Sequence, residues 1–169
     1  RKIYVGMDLG HYSIKAVQIE RHAQGWKITR AAQCPTPQGA IREGVVSDPE
    51  TVAGAIKQLM KMAGITAKHA VISVQGGSVV VRSVRIPRMN EQVLRRSIKY
   101  EAGRYVPTSV EDSYVEFEII GLVDDAQMEI LIVAAPNNLV DSRVQACSLA
   151  GLEVEVVDVG PFAAYRALM

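Results

Sequence analysis

The start of the chain holds residues whose types and spacing suit phosphate binding. The apolar run from Ile3 to Leu9 predicts a buried strand that delivers Asp8 at its end, and Gly10 allows a tight turn. Backbone N–H groups in such a turn can form an anion-binding concavity. A carboxylate tolerates nearby phosphates when Mg²⁺ and its waters stand between, and a lysine neutralises phosphate charge directly. The candidate phosphate-binding residues are Asp8, Gly10, His11, Tyr12, Ser13 and Lys15, with Asp8 also the candidate metal ligand.

Three strands are expected to position this turn. The alternation of apolar residues predicts strands at Ile3 to Leu9, Ser13 to Glu20 and Trp26 to Cys34. Because short turns connect them, they should form an antiparallel meander. The stretch from Pro35 to Val46 has turn residues and little periodicity, which predicts a loop.

A helix should follow this loop. Ser47 and Glu50 have the spacing of a capping box, and Pro49 suits the first helical turn. Gly64 is a natural C-terminal stop for this helix. A fourth strand is then predicted from Ala70 to Gln75.

The middle of the chain predicts a compact strand–helix–strand–strand block. A strand covers Val79 to Ile86, and Asn90 caps a helix that should end at Pro107. Two further strands, Tyr114 to Ile120 and Met128 to Ala134, are separated by a short polar loop and should form a hairpin.

The end of the chain returns to alternating helix and strand. A third helix should start at Asn137 or Asn138 and end at Gly151. A strand is then expected from Leu152 to Val159, followed by a last helix from Pro161 to Met169.

This order predicts an α/β fold with two subdomains. Residues 1–77 with 152–169 should form one α/β layer that carries the phosphate turn. Residues 78–151 should form the inserted subdomain.

The composition indicates an ordinary globular protein but does not indicate a particular activity. The chain has 169 residues, of which 49% are hydrophobic and 22% charged, as in ordinary globular proteins. The formal net charge of +1 gives no field that points to nucleic acid. Cys34 and Cys147 lie far apart without metal-ligand spacing, so both are expected to be reduced, as suits a cytosolic protein.

The motifs together resemble a known family. An Asp-x-Gly hairpin at the chain start, followed by a third strand and a helix, resembles the actin, Hsp70 and sugar-kinase superfamily. The insert is similar to that of the cell-division protein FtsA. The stretches Ser73 to Pro87, Ile98 to Pro107 and Ile130 to Arg166 resemble the PilM family of type IV pilus assembly proteins.

This resemblance implies a fold, ligands and partners. It implies an actin-like, ribonuclease H-like first domain with an FtsA-type insert, and ATP with Mg²⁺ bound in a cleft between two large domains. It also implies a groove between the first subdomain and the insert that holds the N-terminal tail of PilN. The family lies at the cytoplasmic face of the inner membrane, peripheral to it, beside platform and motor proteins. Assembly rather than strong hydrolysis is the implied role, and no catalytic residue is assigned.

Two departures from the family affect the nucleotide site. The family usually has small hydroxyl residues where His11 and Tyr12 stand, so their rings should either fill the space beside the γ-phosphate or let His11 donate to it. The second half of an actin fold would supply the other phosphate hairpin and the adenine pocket. We therefore expect this stretch of chain alone to bind phosphates poorly.

The partner tail should lie as an extended strand or in an apolar groove, where main-chain bonds give affinity and side-chain pockets give specificity. The candidate partner-binding residues are Val79, Val81, Arg82 and Arg85, on the first strand of the insert.

Two alternative functions stay open at this point. An ATPase or small-molecule kinase of the superfamily would need a catalytic base, for which Asp48, Glu50 and Asp158 are available. A helix start or solvated surface already explains the first two. An FtsA-like division protein is the other alternative.

Overall fold

The computed structural model describes residues 2–160 of the chain. The predicted last helix, Pro161 to Met169, lies outside the described residues. The elements in chain order are β1 (Ile3–Leu9), β2 (Ser13–His22), β3 (Gly25–Pro35), β4 (Ile41–Arg42), β5 (Val45–Val46), α1 (Pro49–Ala63), β6 (His69–Val74), β7 (Val80–Pro87), α2 (Glu91–Ala102), β8 (Ser113–Leu122), β9 (Gln127–Pro136), α3 (Asn137–Leu149) and β10 (Glu153–Val159).

These elements form two compact units. Within the described residues, the first unit comprises the chain up to Gly76 and from Asn138 onward, and the second runs from Gly77 to Asn137. The division predicted from the sequence placed residues 138–151 in the insert, whereas in the structure they belong to the first unit. The physical reason is that Ala146 and Cys147 on α3 are fully buried in the core of the first unit.

The first unit is built on a mixed five-stranded sheet in the order β10-β6-β1-β2-β3. Strands β1, β2 and β3 pair antiparallel, which confirms the predicted meander. Strands β1, β6 and β10 pair parallel because long crossovers connect them. Val5, Met7 and Leu9 point to one face of β1, where they pack with Val52 and Ile56 of α1.

The start of α1 differs from the capping box that the sequence predicted. Asp48 is the N-cap, and its carboxylate accepts a hydrogen bond of 3.1 Å from the N–H of Thr51. Ser47 instead donates its hydroxyl to the carbonyls of Gly39 and Ala40. The predicted stop is confirmed, since Gly64 takes the left-handed conformation after the last turn.

The stretch predicted as loop contains a short hairpin, β4–β5. Its turn residues, Glu43 and Gly44, both have positive φ, as tight two-residue hairpins require. Ile41 and Val46 flank this turn and are buried. The hairpin could not be predicted from the residue pattern because Glu rarely adopts positive φ.

The second unit has the predicted strand–helix–strand–strand order. Strands β7, β9 and β8 pair antiparallel in that order, and α2 packs on one face of the sheet. Leu94 and Ile98 of α2 lie in one core with Ile130 and Ile132 of β9.

The predicted start of α2 is confirmed, and its predicted end is wrong. Asn90 caps α2 by accepting a hydrogen bond of 2.8 Å from the N–H of Val93. The helix ends at Ala102 with Gly103 as its C-cap, several residues before Pro107.

Among the described residues, every helix is too short or too polar to cross a lipid bilayer.

Candidate phosphate-binding site

The β1–β2 hairpin brings Asp8 and Lys15 together. The two residues are direct partners in the antiparallel register, next to the buried pair Leu9 and Ile14. Because side chains alternate along a strand, Asp8 and Lys15 share the face opposite those buried residues. Nζ of Lys15 lies 3.7 Å from Oδ2 of Asp8, with the side chains 55% and 44% exposed respectively. The pair is thus open to an incoming ligand.

Gly10 opens the turn between the two strands. Its N–H donates to the carbonyl of Ser13 at 3.0 Å. A Cβ at Gly10 would lie 2.8 Å from that carbonyl oxygen, which is closer than real Cβ atoms come. The turn therefore excludes any side chain at this position, as the sequence predicted from the need for a tight turn.

Thr36, the residue after β3, stabilises the turn by two hydrogen bonds. Its hydroxyl donates to the carbonyl of Gly10 at 2.7 Å, and its N–H donates to the carbonyl of Tyr12 at 3.0 Å. The carbonyl of Gly10 and the N–H of His11 belong to one trans peptide unit, in which the two groups point in opposite directions. Thr36 therefore directs the His11 N–H away from itself. Among residues 2–160, that N–H donates to no backbone carbonyl.

The rings of His11 and Tyr12 lie on the outside of the turn. Tyr12 is 86% exposed, and its ring meets that of His11 edge to face at 4.7 Å between centroids. The two rings contact each other in solvent. Neither ring is packed into the protein beside the turn.

A buried arginine that none of the sequence motifs indicated contacts the end of β1 from the interior of the first unit. Arg143 on α3 is only 4% exposed. One guanidinium nitrogen, Nη2, donates to the carbonyl of Leu9 at 3.2 Å, and Nη1 donates to the carbonyl of Gly44. Burial lowers the pKa of Arg143, while the charge of Asp8 raises it and offsets part of that effect.

A sequence signal for Arg143 does exist. The buried residues of α3 are Leu139, Val140, Arg143, Ala146 and Cys147. This spacing of three and four residues is that of one helix face, so an arginine stands inside an apolar stripe. A charge at such a position needs buried partners.

The candidate partner-binding residues do not share one surface. On β7, Val84 and Ile86 are buried toward α2, so Arg82 lies on that face and Val81 and Arg85 lie on the opposite one. Val79 precedes the strand.

The acids considered for catalysis have other roles or positions. Asp48 is the helix cap and Glu50 lies in the first turn of α1. In the described part of the chain, no group of three His, Cys, Asp or Glu side chains could hold a metal ion. Of the described residues, Asp8 would therefore hold a metal at the hairpin, where Mg²⁺ also takes water and phosphate oxygens as ligands.

The donor set of the hairpin fits a phosphate group with Mg²⁺. Asp8 offers a hard oxygen ligand, Lys15 offers a cation and the turn offers a backbone N–H group, while the Gly10 position admits no side chain.

The strand order of the first unit, with an Asp-x-Gly turn in its first hairpin, defines an actin-like protein. The chain belongs to the family of the type IV pilus assembly protein PilM, whose family model matches residues 6–169. The predicted fold class and family are thereby confirmed.

Solved structures agree with this assignment. The chain is similar to a structure described as the PilM-PilN type IV pilus biogenesis complex, with a TM-score of 0.86 and 27% identity. That match covers 98% of this chain and 49% of the other, so the chain spans about half the length of this relative.

More distant structures show the fold alone. The cytoplasmic domain of EpsL, an inner membrane component of the type II secretion system of Vibrio cholerae, matches with a TM-score of 0.61 and 12% identity, over 93% of this chain and 57% of that one. The ethanolamine utilization protein EutJ from Carboxydothermus hydrogenoformans matches with a TM-score of 0.52 and 16% identity, over 99% and 40%.

Proposed function

We propose that this chain is the partner-docking half of a type IV pilus assembly protein, which holds the N-terminal tail of PilN and, when full length, binds ATP with Mg²⁺. One observation carries the docking role. Nearly the whole chain superposes on a PilM whose structure is that of a complex with PilN. The family assignment favours this function over an FtsA-like role in division.

The hairpin supports the nucleotide part of the proposal. Bound Mg²⁺ would neutralise phosphate charge. Asp8 would hold the ion, and Lys15 would turn from Asp8 toward the phosphate oxygens. The Asp8–Lys15 pair is half exposed, so this exchange of partners costs little. The proposed role is a scaffold at the cytoplasmic face of the inner membrane, peripheral to it through PilN and beside platform and motor proteins.

Docking is tested by titrating a PilN tail peptide into the full-length protein by calorimetry. We expect saturable binding in about the micromolar range, which corresponds to about −8 kcal/mol. A scrambled peptide of the same composition is the control. Equal heats for the two peptides, or none for either, would overturn the docking role.

Nucleotide binding and turnover need separate measurements. Calorimetry with ATP and Mg²⁺ tests binding, and release of inorganic phosphate tests hydrolysis. Binding with a flat hydrolysis baseline supports the scaffold. Sustained turnover that Asp8→Ala abolishes would instead favour the ATPase alternative.

A further inference from the structure

We infer that Arg143 is a positioning residue for the β1–β2 hairpin, here called the phosphate hairpin. From the buried side, Arg143 fixes the peptide unit between Leu9 and Gly10, which precedes the turn. The inference rests on the proposed nucleotide binding for its functional meaning. Its geometric basis is the contact of one buried side chain with two separate backbone segments, at Leu9 and at Gly44.

The peptide unit between Leu9 and Gly10 is held at both of its polar groups. Its carbonyl accepts from Nη2 of Arg143, and its N–H donates to the carbonyl of Ser13. Thr36 holds the next peptide unit through the carbonyl of Gly10. Two consecutive peptide planes are therefore fixed, and with them the direction of the His11 N–H that would face a phosphate. Of these three contacts, the one from Arg143 comes from α3, and the other two come from Ser13 and Thr36.

The second contact of Arg143 links the hairpin to β4–β5. Nη1 donates to the carbonyl of Gly44, and the neighbouring Ser142 accepts a hydrogen bond of 3.1 Å from the N–H of Val46. Leu139, one turn earlier, packs against Gly44, where an added Cβ would lie 2.8 Å from its Cδ1. Thus Leu139, Ser142 and Arg143 of α3 all contact the β4–β5 hairpin, whereas the contact described between α3 and the phosphate hairpin comes from Arg143.

The chemistry of arginine suits this position. A planar guanidinium can donate to two carbonyls at fixed angles, whereas a lysine offers a single point of charge. A buried carbonyl that loses its donor carries a desolvation penalty, so removal of the guanidinium should release the Leu9–Gly10 unit. Nε of Arg143 is itself buried without a hydrogen-bond partner in the described structure. The negative charge of Asp8 offsets part of the cost of burying the charged guanidinium.

Two variants separate positioning from a general loss of packing. Arg143→Met removes the contacts to Leu9 and Gly44 but keeps a long apolar side chain. Ser142→Ala, on the same helix, is the matched control. It removes the hydrogen bond from α3 to Val46 of β5 but leaves the contacts of the phosphate hairpin intact. Arg143→Lys keeps the charge and tests the hairpin if the Met variant does not fold.

The first readout is amide hydrogen exchange of residues 9–13 in the full-length protein without nucleotide. We expect exchange about tenfold to a hundredfold faster in Arg143→Met, less in Arg143→Lys and unchanged in Ser142→Ala. Equal protection of these amides in wild type and both Arg143 variants would overturn the inference.

The second readout is affinity for ATP, ADP and adenosine by calorimetry. Arg143→Met should lose about tenfold or more for ATP and ADP but not for adenosine, since only the phosphates meet the hairpin. An equal loss for all three ligands would show a general structural role and overturn the inference. If wild type binds no ATP, the proposed nucleotide function fails, and hydrogen exchange alone decides the role of Arg143.

Discussion

Lys15 and Asp8 face each other across β1 and β2, with 3.7 Å between Nζ and Oδ2. Exposed ion pairs of this kind contribute about 0–1 kcal/mol to stability. The fold therefore does not depend on the pair, which leaves both charges available to ligands. In the proposed nucleotide site, a phosphate with Mg²⁺ would offer each of them a stronger partner.

Replacement of Asp8 by Asn should separate binding from stability. We expect the free energy of unfolding to change by less than about 1 kcal/mol. The affinity of the full-length protein for ATP with Mg²⁺ should fall at least about tenfold, because a charged ligand is lost. Denaturant unfolding and calorimetry measure the two quantities. Glu50→Gln, an exposed acid in the first turn of α1, is the control and should leave affinity unchanged.

Two Gly→Ala substitutions should have opposite effects on stability. At Gly10 the new Cβ would lie 2.8 Å from the Ser13 carbonyl, so we expect a loss of about 1–3 kcal/mol. Gly54 lies within α1 with nothing inside 4 Å of an added Cβ, so Ala there should stabilise by about 0.5–1 kcal/mol. Urea unfolding of the two variants checks the signs. Equal effects at the two sites would contradict the tight turn at Gly10.

Much of the fold could be predicted from the sequence because its signals are local. Alternating apolar residues located β1, β2 and β3, and the glycine stop located the end of α1. What could not be predicted depends on distant contacts. The β4–β5 hairpin turns at Glu43, whose positive φ no sequence pattern announces.

The same distinction holds for the candidate site. The Asp8, Gly10 and Lys15 pattern lies within eight residues and could be read directly. Thr36 and Arg143 contact the hairpin from much later in the chain, across 26 and 134 residues. Their roles follow from tertiary packing, which spacing alone does not reveal.

The corrected cap of α1 predicts a pH-dependent stability. Hydrogen bonds from Thr51 lower the pKa of Asp48 below its usual value of 3.8. The ionised Asp48 cap therefore contributes to the stability of the folded state above pH 3.8. This contribution is lost as the pH falls through the pKa of Asp48 in the folded protein. Asp48→Ala should lower the melting temperature at pH 7, and the difference from wild type should shrink below pH 3.8. Ser47→Ala, as the control, should show no such pH dependence.

The two faces of β7 allow a direct test of where the PilN tail would lie in the proposed complex. Arg85 is on the face away from α2, opposite Glu129 in the register, whereas Arg82 is on the α2 face and donates to the Val81 carbonyl. If the tail contacts the face away from α2, Arg85→Glu should weaken it at least about fivefold, since effective contacts are worth 1 kcal/mol or more. Calorimetry with the tail peptide measures the change.

Arg82→Glu is the matched control for that experiment, because it makes the same charge change three residues away on the other face. Both residues are exposed, so Arg82→Glu should alter the stability of the second unit by no more than about 0.5 kcal/mol. Arg85→Glu places a second carboxylate opposite Glu129 and should cost about 0.2–1 kcal/mol. A loss of affinity in Arg82→Glu but not in Arg85→Glu would move the tail to the α2 face. Unchanged affinity in both variants would exclude charged contacts along β7, and the tail would then depend on main-chain bonds or apolar contacts elsewhere.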